Sequence, residues 1–160
     1  MIKVANLSEI RISSDLLILR KIEEKDRSTF CKYTSPDHFK EAVNSDNTLG
    51  IFIDEEMVGA IVSYSDCANP SLLPEKGIGT ALGYSCRKDK RNQGILSKAV
   101  SLLSKELLEK YDYILLEIDK DNLASRHVAT NAGFIEYVEE KRMIFYLKRK
   151  TPHGTTSTPA

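Results

Sequence analysis

Tyr84-Ser85-Cys86-Arg87-Lys88-Asp89-Lys90-Arg91-Asn92-Gln93-Gly94-Ile95-Leu96 joins an apolar segment, Ile78 to Cys86, to a strongly amphipathic one. The stretch reads as a strand, a tight basic loop and a helix. A glycine at such a junction turns without a Cβ clash and lets backbone N–H groups approach a ligand closely. The first turn of the helix leaves its N–H groups unpaired and carries the positive end of the helix dipole. Together these features predict an anion cradle suited to a phosphate or pyrophosphate.

Downstream, Ile95, Leu96, Ala99, Leu103 and Leu107 recur at three- and four-residue steps, with Lys98, Ser101, Lys105 and Glu109 opposite, as in an amphipathic helix. Tyr113-Ile114-Leu115-Leu116-Glu117-Ile118 is nearly all apolar, the composition of a central strand covered on both faces. Asn122 or Asp121 can cap a short helix that Gly133 ends, and Phe134 to Val138 and Met143 to Leu147 read as two closing strands.

Upstream, Leu16 to Arg20 reads as a first strand, and Glu23-Glu24-Lys25-Asp26 opens a helix toward Tyr33 with an acidic start that suits the dipole. A second helix is expected over Asp37 to Val43. Leu49 to Ile53 and Met57 to Val62 read as a hairpin around Asp54-Glu55-Glu56. The two prolines of Asp66 to Lys76 argue for a loop, either a substrate lid or a plain connection. The order of elements predicts a mixed α/β or α+β domain around one sheet over residues 1–150. Residues 151–160 lack any apolar period and are expected to be a disordered tail.

The chain has 160 residues, enough for one domain with a substantial core. Its 41% hydrophobic and 29% charged content is that of an ordinary globular protein. Lys+Arg and Asp+Glu both number 23, and a zero net charge disfavours wholesale nucleic-acid binding. No apolar run approaches the roughly 20 residues of a membrane helix, and Met1 to Asn6 lack the apolar core of a signal peptide. Cys31, Cys67 and Cys86 fit neither a disulfide framework nor a metal site, and suit a reducing cytoplasm.

The basic loop resembles the acyl-CoA-binding loop of the GNAT superfamily of N-acetyltransferases. The pattern Arg/Gln-x-x-Gly-x-Gly/Ala falls on Arg91-Asn92-Gln93-Gly94-Ile95-Leu96, with Leu96 where a small residue is usual. Leu17 to Arg20 followed by Glu23 to Asp26 is similar to the opening of the branch of ribosomal-protein serine/alanine N-acetyltransferases. Leu82-Gly83-Tyr84 matches that branch's Ile-Gly-Tyr strand. Asn122, Ser125, Ala129, Gly133 and Phe134 match its Asn-x-x-Ser-x-x-x-Ala-x-x-x-Gly-Phe motif.

The resemblance implies one GNAT-like domain: a central mixed, mostly antiparallel sheet with two splayed parallel strands, flanked by about four helices. Acetyl-CoA would lie in the splay, with its pyrophosphate on the N–H groups of Asn92, Gln93, Gly94, Ile95, Leu96 and Ser97. Tyr84, Ser85 and Cys86 would offer backbone to the pantetheine, Arg91 a charge to the phosphates, and Asn122 and Ser125 would reach the pantetheine arm or the sulfur. The implied reaction moves acetyl from acetyl-CoA to a primary amine by direct attack in a ternary complex. The acceptor is a protein or peptide N-terminal α-amine or a small amine. No metal, membrane or nucleic acid is implied, and the assembly is open between monomer and homodimer.

Such a transfer needs a neutral amine, a polarised carbonyl and a protonated leaving thiol. An alkyl amine with a pKa near 10 must lose a proton before it attacks. A backbone N–H, here expected from Cys86, would stabilise the oxyanion. Holding both reactants together could supply about 7–11 kcal/mol. Ser125 is the candidate hydrogen-bond donor to the sulfur. Relatives place a Glu at the position of Ala81 and a Tyr at that of Ala129, so neither group is present; Glu117 and Glu75 are the candidate proton relays.

Several residues admit more than one reading. Arg87 to Arg91 is a CoA phosphate site, a solvated loop or a nucleic-acid patch, and the spacing of Arg91 to Gly94 favours the first. The glycines at 77, 79 and 83 do not precede a helix as a dinucleotide fingerprint requires. His127 reads as an ordinary helix histidine and Cys86 as a packed small side chain. Ser125 suits both a helix start and a sulfur contact, and Tyr64 and Tyr84 suit either core packing or an acceptor pocket. The missing Glu and Tyr motivate a second function, an acyl-CoA-binding regulatory module with little turnover.

Overall fold

The computed structural model describes residues 1–74 and 76–150. It begins with β1 (Ile12–Ser13), β2 (Ile18–Arg20), α1 (Arg27–Tyr33) and α2 (Phe39–Asn44). The hairpin of β3 (Thr48–Ile53) and β4 (Glu56–Tyr64) follows, then β5 (Gly79–Cys86) and α3 (Ile95–Leu107). Next come β6 (Tyr113–Asp119), α4 (Leu123–Asn131), β7 (Ile135–Glu140) and β8 (Met143–Arg149). Asp54 and Glu55 take φ angles of 50° and 65°, the left-handed pair that a two-residue hairpin turn requires.

All strands join one eight-stranded sheet in the order β1-β2-β3-β4-β5-β6-β8-β7. Among the named strands only β5 and β6 pair in parallel, and their register runs from Gly79↔Tyr113 to Ala81↔Leu115. Beyond Ala81, β5 pairs with β4 alone, while β6 continues along β8 to Asp119. This divergence is the splay.

The two faces of the sheet are covered differently. On one, α3 and α4 bury Ile95, Ala99, Leu103, Leu107 and Ala129 against Ile61, Leu82, Ile114 and Leu116. On the other, α1 and α2 pack Phe30 and Phe39 on Phe52, Met57 and Ala60. Phe30 and Phe39 meet edge-to-face at 5.2 Å, an aromatic contact worth about 0.5–1.5 kcal/mol beyond burial. Farther along the same face, Ala81, Tyr113, Leu115 and Phe145 form a third cluster under Cys67, Leu72 and Leu73 of the β4–β5 loop.

Arg20 and Asp26 set the entry to α1. The guanidinium donates from both Nη atoms to the two carboxylate oxygens at 2.8 Å, lies 3.7 Å over the Phe52 ring, and is buried with its partner. Burial alone would raise the Asp26 pKa. The Arg20 hydrogen bond and the Glu23 N–H outweigh it and hold the carboxyl below its ordinary range.

Several elements differ from the expectation. The expected helix over Asp37 to Val43 divides into a 3-10 turn at Pro36–His38 and α2, because Pro36 at the first position sets a tight turn before the α-helical bonds begin. The first strand is shorter than Leu16 to Arg20 and is preceded by β1. The amino-terminal segment also joins the core: Ile2 bridges Gly79, and Ala5 and Leu7 are fully buried. The expected tail, 151–160, lies outside the described residues.

Candidate active site

Gly94 ends the basic loop in the left-handed region, φ 76°, as the N-cap of α3, and no side chain caps that helix. A Cβ built on Gly94 would meet nothing within 4 Å, so the ground in front of the helix start is open. Asn92 also has positive φ, 63°, which turns the chain so that successive amides converge. Among the described residues, the N–H groups of Asn92 through Ser97 find no protein acceptor; Lys98 is the first residue to donate back, to Gly94 C=O at 3.1 Å. Unpaired amides at the positive end of a 13-residue helix attract an anion.

The basic run divides in two. Arg87 is held by Glu56 and Asp89, with Nη2 2.7 Å from Asp89 Oδ2, and its guanidinium is therefore committed to the scaffold. Lys90 and Arg91 line the cleft in front of Gly94. Arg91 Nε donates to Cys86 C=O at 3.3 Å, which ties the loop to the end of β5.

Strand register opens the edge of β5. Arg87 N–H donates to Val58 C=O at 2.8 Å. In an antiparallel ladder the bonded pairs alternate, so the backbone groups of Ser85 and Gly83 point at β4 and those of Tyr84 and Cys86 point the other way. With β6 gone after Ala81, the Tyr84 and Cys86 amides face the splay rather than a strand.

The far wall is the start of α4. The Asn122 side chain caps the helix by accepting from Ser125 N–H at 3.1 Å. Tyr84 reaches across the splay, donating its hydroxyl to Ser125 C=O at 3.1 Å with Ser125 Oγ at 3.0 Å. Burial pushes the Tyr84 hydroxyl up from its ordinary pKa despite the Ser125 contact, so it remains a neutral phenol.

These elements enclose a cleft of about 590 Å³. Tyr84, Ser85 and Cys86 of β5, Arg91, Asn92 and Gly94 of the loop, and Ile95, Leu96 and Ser97 of α3 line it, with Asn122 and Ser125 opposite. Of the residues predicted to bind acetyl-CoA, Gln93 alone is not on its wall; its side chain donates to Asp89 C=O at 3.3 Å. Ser85 touches the cleft, but its hydroxyl bonds Tyr33 of α1 on the opposite face of the sheet. Lys90, within the basic run read as a CoA phosphate site, is on the wall; sequence reasoning missed Ala124, Val128 and Asn131, and read His127, also on the wall, as an ordinary helix residue. The spacing of 124, 127, 128 and 131 is the signal, since three- and four-residue steps share one helix face.

On the face away from α3 and α4, Glu117 accepts the Ala68 N–H at 3.3 Å from each carboxylate oxygen. Burial first, and then the Glu117 charge, push the Tyr64 hydroxyl up to about 12. Ala81 and Ala129 are fully buried, so no acid or base works from those positions. Glu75 lies outside the described residues. Among the described residues no group of three or more His, Cys, Asp or Glu could hold a metal, and no helix is long and apolar enough to cross a membrane.

The family model described as the acetyltransferase (GNAT) domain matches residues 41–135. The fold is similar to the ribosomal-protein-S5-alanine acetyltransferase from Vibrio fischeri, with a TM-score of 0.70 and 14% identity over 90% of this chain and 98% of that one. It is also similar to a GNAT-family acetyltransferase from Bacillus anthracis, at 0.68 and 17% over 88% and 99%. A ribosomal L7/L12 α-N-protein acetyltransferase in complex with coenzyme A matches at 0.68 and 18%, over 88% and 98%. No curated protein matches the chain in sequence.

Proposed function

The chain belongs to the acetyltransferase (GNAT) domain family, and on that premise we propose that it moves acetyl from acetyl-CoA to a primary amine by direct attack within a ternary complex. One observation carries this reading. The unpaired amides of Asn92 and of Gly94 to Ser97, the open edge of β5 at Tyr84 and Cys86, and the Asn122–Ser125 helix start line one cleft. Their order fits pyrophosphate, pantetheine and thioester in succession. A similar fold has been solved with coenzyme A bound.

In this scheme Lys90 and Arg91 balance phosphate charge, and the Tyr84 and Cys86 backbone groups pair with the pantetheine amides. The Cys86 N–H polarises the thioester carbonyl. Glu117, at the far side of the splay, accepts the ammonium proton through water. The neutral amine then attacks the carbonyl carbon, the C–N bond forms and the C–S bond breaks, and the proton that the attacking nitrogen sheds passes through the Ser125 hydroxyl to the leaving thiolate, so that Ser125 ends the step protonated. Tyr84 positions Ser125 by holding both its hydroxyl and its carbonyl. The acceptor is an N-terminal α-amine or a small amine, as the branch resemblance implies.

A second reading, an acyl-CoA-binding module with little turnover, draws on the burial of Ala81 and Ala129. Release of free thiol from acetyl-CoA in the presence of peptide and small amines separates the two. The enzyme reading predicts amine-dependent release well above hydrolysis. Tight binding of acetyl-CoA with no amine-dependent release would leave the module.

A further inference from the structure

Six of the seven described glycines have a local reason to lack a side chain. Gly77, Gly94 and Gly133 have positive φ. At Gly50, Gly59 and Gly79 an added Cβ would come within 2.5 Å, 2.4 Å and 2.2 Å of neighbouring atoms. Gly83 has neither reason. Its Cβ would meet only Tyr64 Cε1, at an ordinary 3.7 Å. Glycine inside a strand costs stability relative to alanine, and where packing does not demand it, it marks close approach by a ligand.

Its surroundings say from which side. Leu82 packs under α3 and α4, and Ala81 belongs to the cluster on the other face. By strand alternation Gly83 and Ser85 face away from the cofactor cleft. Gly83 pairs with Val62, which is 37% exposed inside a strand otherwise buried except at its ends. A strip of sheet is thus bare between the part under α1 and α2 and the part under the β4–β5 loop. Tyr33 and Ser85 border it on one side. Tyr64 and Glu117, two residues past the last β5–β6 pair at Leu115, border it on the other.

Resting on the acetyltransferase reading, we infer that Gly83 is a specificity-determining residue for the acceptor. Its empty side-chain position, at the mouth of the splay, is where the substituent on the amine-bearing carbon sits as the amine reaches the thioester. Val62 and Tyr64 give that substituent an apolar wall, and Glu117 faces the ammonium.

The test compares wild type with Gly83→Ala and Gly83→Val, using glycinamide, alaninamide and leucinamide as acceptors. Each is followed by thiol release, and each amide is also titrated into the protein–CoA complex by calorimetry. The expected result is a loss of kcat/KM and of amide affinity that grows with substituent size. One added methyl should cost leucinamide about tenfold more than glycinamide, the scale of a single carbon in a fitted pocket, with acetyl-CoA affinity unchanged and the melting temperature unchanged or raised. Equal losses for all three amides, no loss for any, or weakened acetyl-CoA binding would overturn the assignment. A wild type that binds acetyl-CoA but neither binds nor acetylates any amide overturns the functional reading, and this inference with it.

Discussion

Replacing Gly94 by glutamate probes the anion cradle with two effects that the structure lets one separate. The residue sits at φ 76° with nothing within 4 Å of an added Cβ. Any L side chain there pays about 1–2 kcal/mol of backbone strain, without a clash. Gly94→Ala carries that strain alone, and should lower the melting temperature by several degrees while costing acetyl-CoA only modest affinity. Gly94→Glu adds a negative charge in front of the α3 amides. At roughly 5 Å and an effective dielectric near 20, each phosphate charge is repelled by about 3 kcal/mol, so affinity should fall by about 200-fold or more. Calorimetric titration with acetyl-CoA, beside thermal unfolding of both variants, measures the two effects independently. Equal stability loss in the two variants with equal affinity for acetyl-CoA would refute the reasoning, because it would mean that no anion sits there.

Three further outcomes follow from named contacts. Ser125→Ala should lower kcat by about 100-fold, the lower range of proton-transfer contributions, with the KM for acetyl-CoA little changed; Tyr84→Phe should produce a smaller fall in the same parameter. Asp26→Asn leaves Arg20 buried beside a neutral amide, which should cost about 3–5 kcal/mol in denaturant unfolding. Because the folded pKa of Asp26 is depressed, its stabilisation is complete above its unfolded pKa near 3.9 and is lost as pH falls through the folded value. The variant should therefore show a flatter acid limb than wild type. Burial, and then the Glu117 carboxylate, push the Cys67 thiol up to about 11, so its alkylation by iodoacetamide, followed by mass spectrometry, should keep accelerating to that pH. Glu117→Gln should shift the profile downward.

The strand–loop–helix from Ile78 to Leu107 was legible because its signals are local: an apolar run, a glycine and a helical stripe, each set by neighbours in sequence. The Asn122 cap and the Gly133 stop were legible for the same reason. Short elements made by distant partners were not. Residues 1–7 have little strand pattern of their own, and only the edge of Gly79 and a place for Ala5 and Leu7 in the core order them. Ser104 illustrates another limit. Its hydroxyl is buried in α3 because Lys148, far along the chain, donates to it at 2.8 Å. In the site, the cradle and the Asn122–Ser125 wall followed from motif spacing. The commitment of Arg87 to Glu56 and Asp89 did not, since a run of like residues gives no hint of which cation faces inward. Nor did the Tyr84–Ser125 contact, which depends on how far β5 and β6 part.

Backbone amide shifts of the isotopically labelled protein, followed during titration with coenzyme A, test the central claim most directly. The account predicts the largest changes at Gly94, Ile95, Leu96 and Ser97 and at Tyr84 and Cys86, with Arg87 and the Arg20–Asp26 corner unmoved. Shifts centred elsewhere, with the start of α3 silent at saturating ligand, would contradict it.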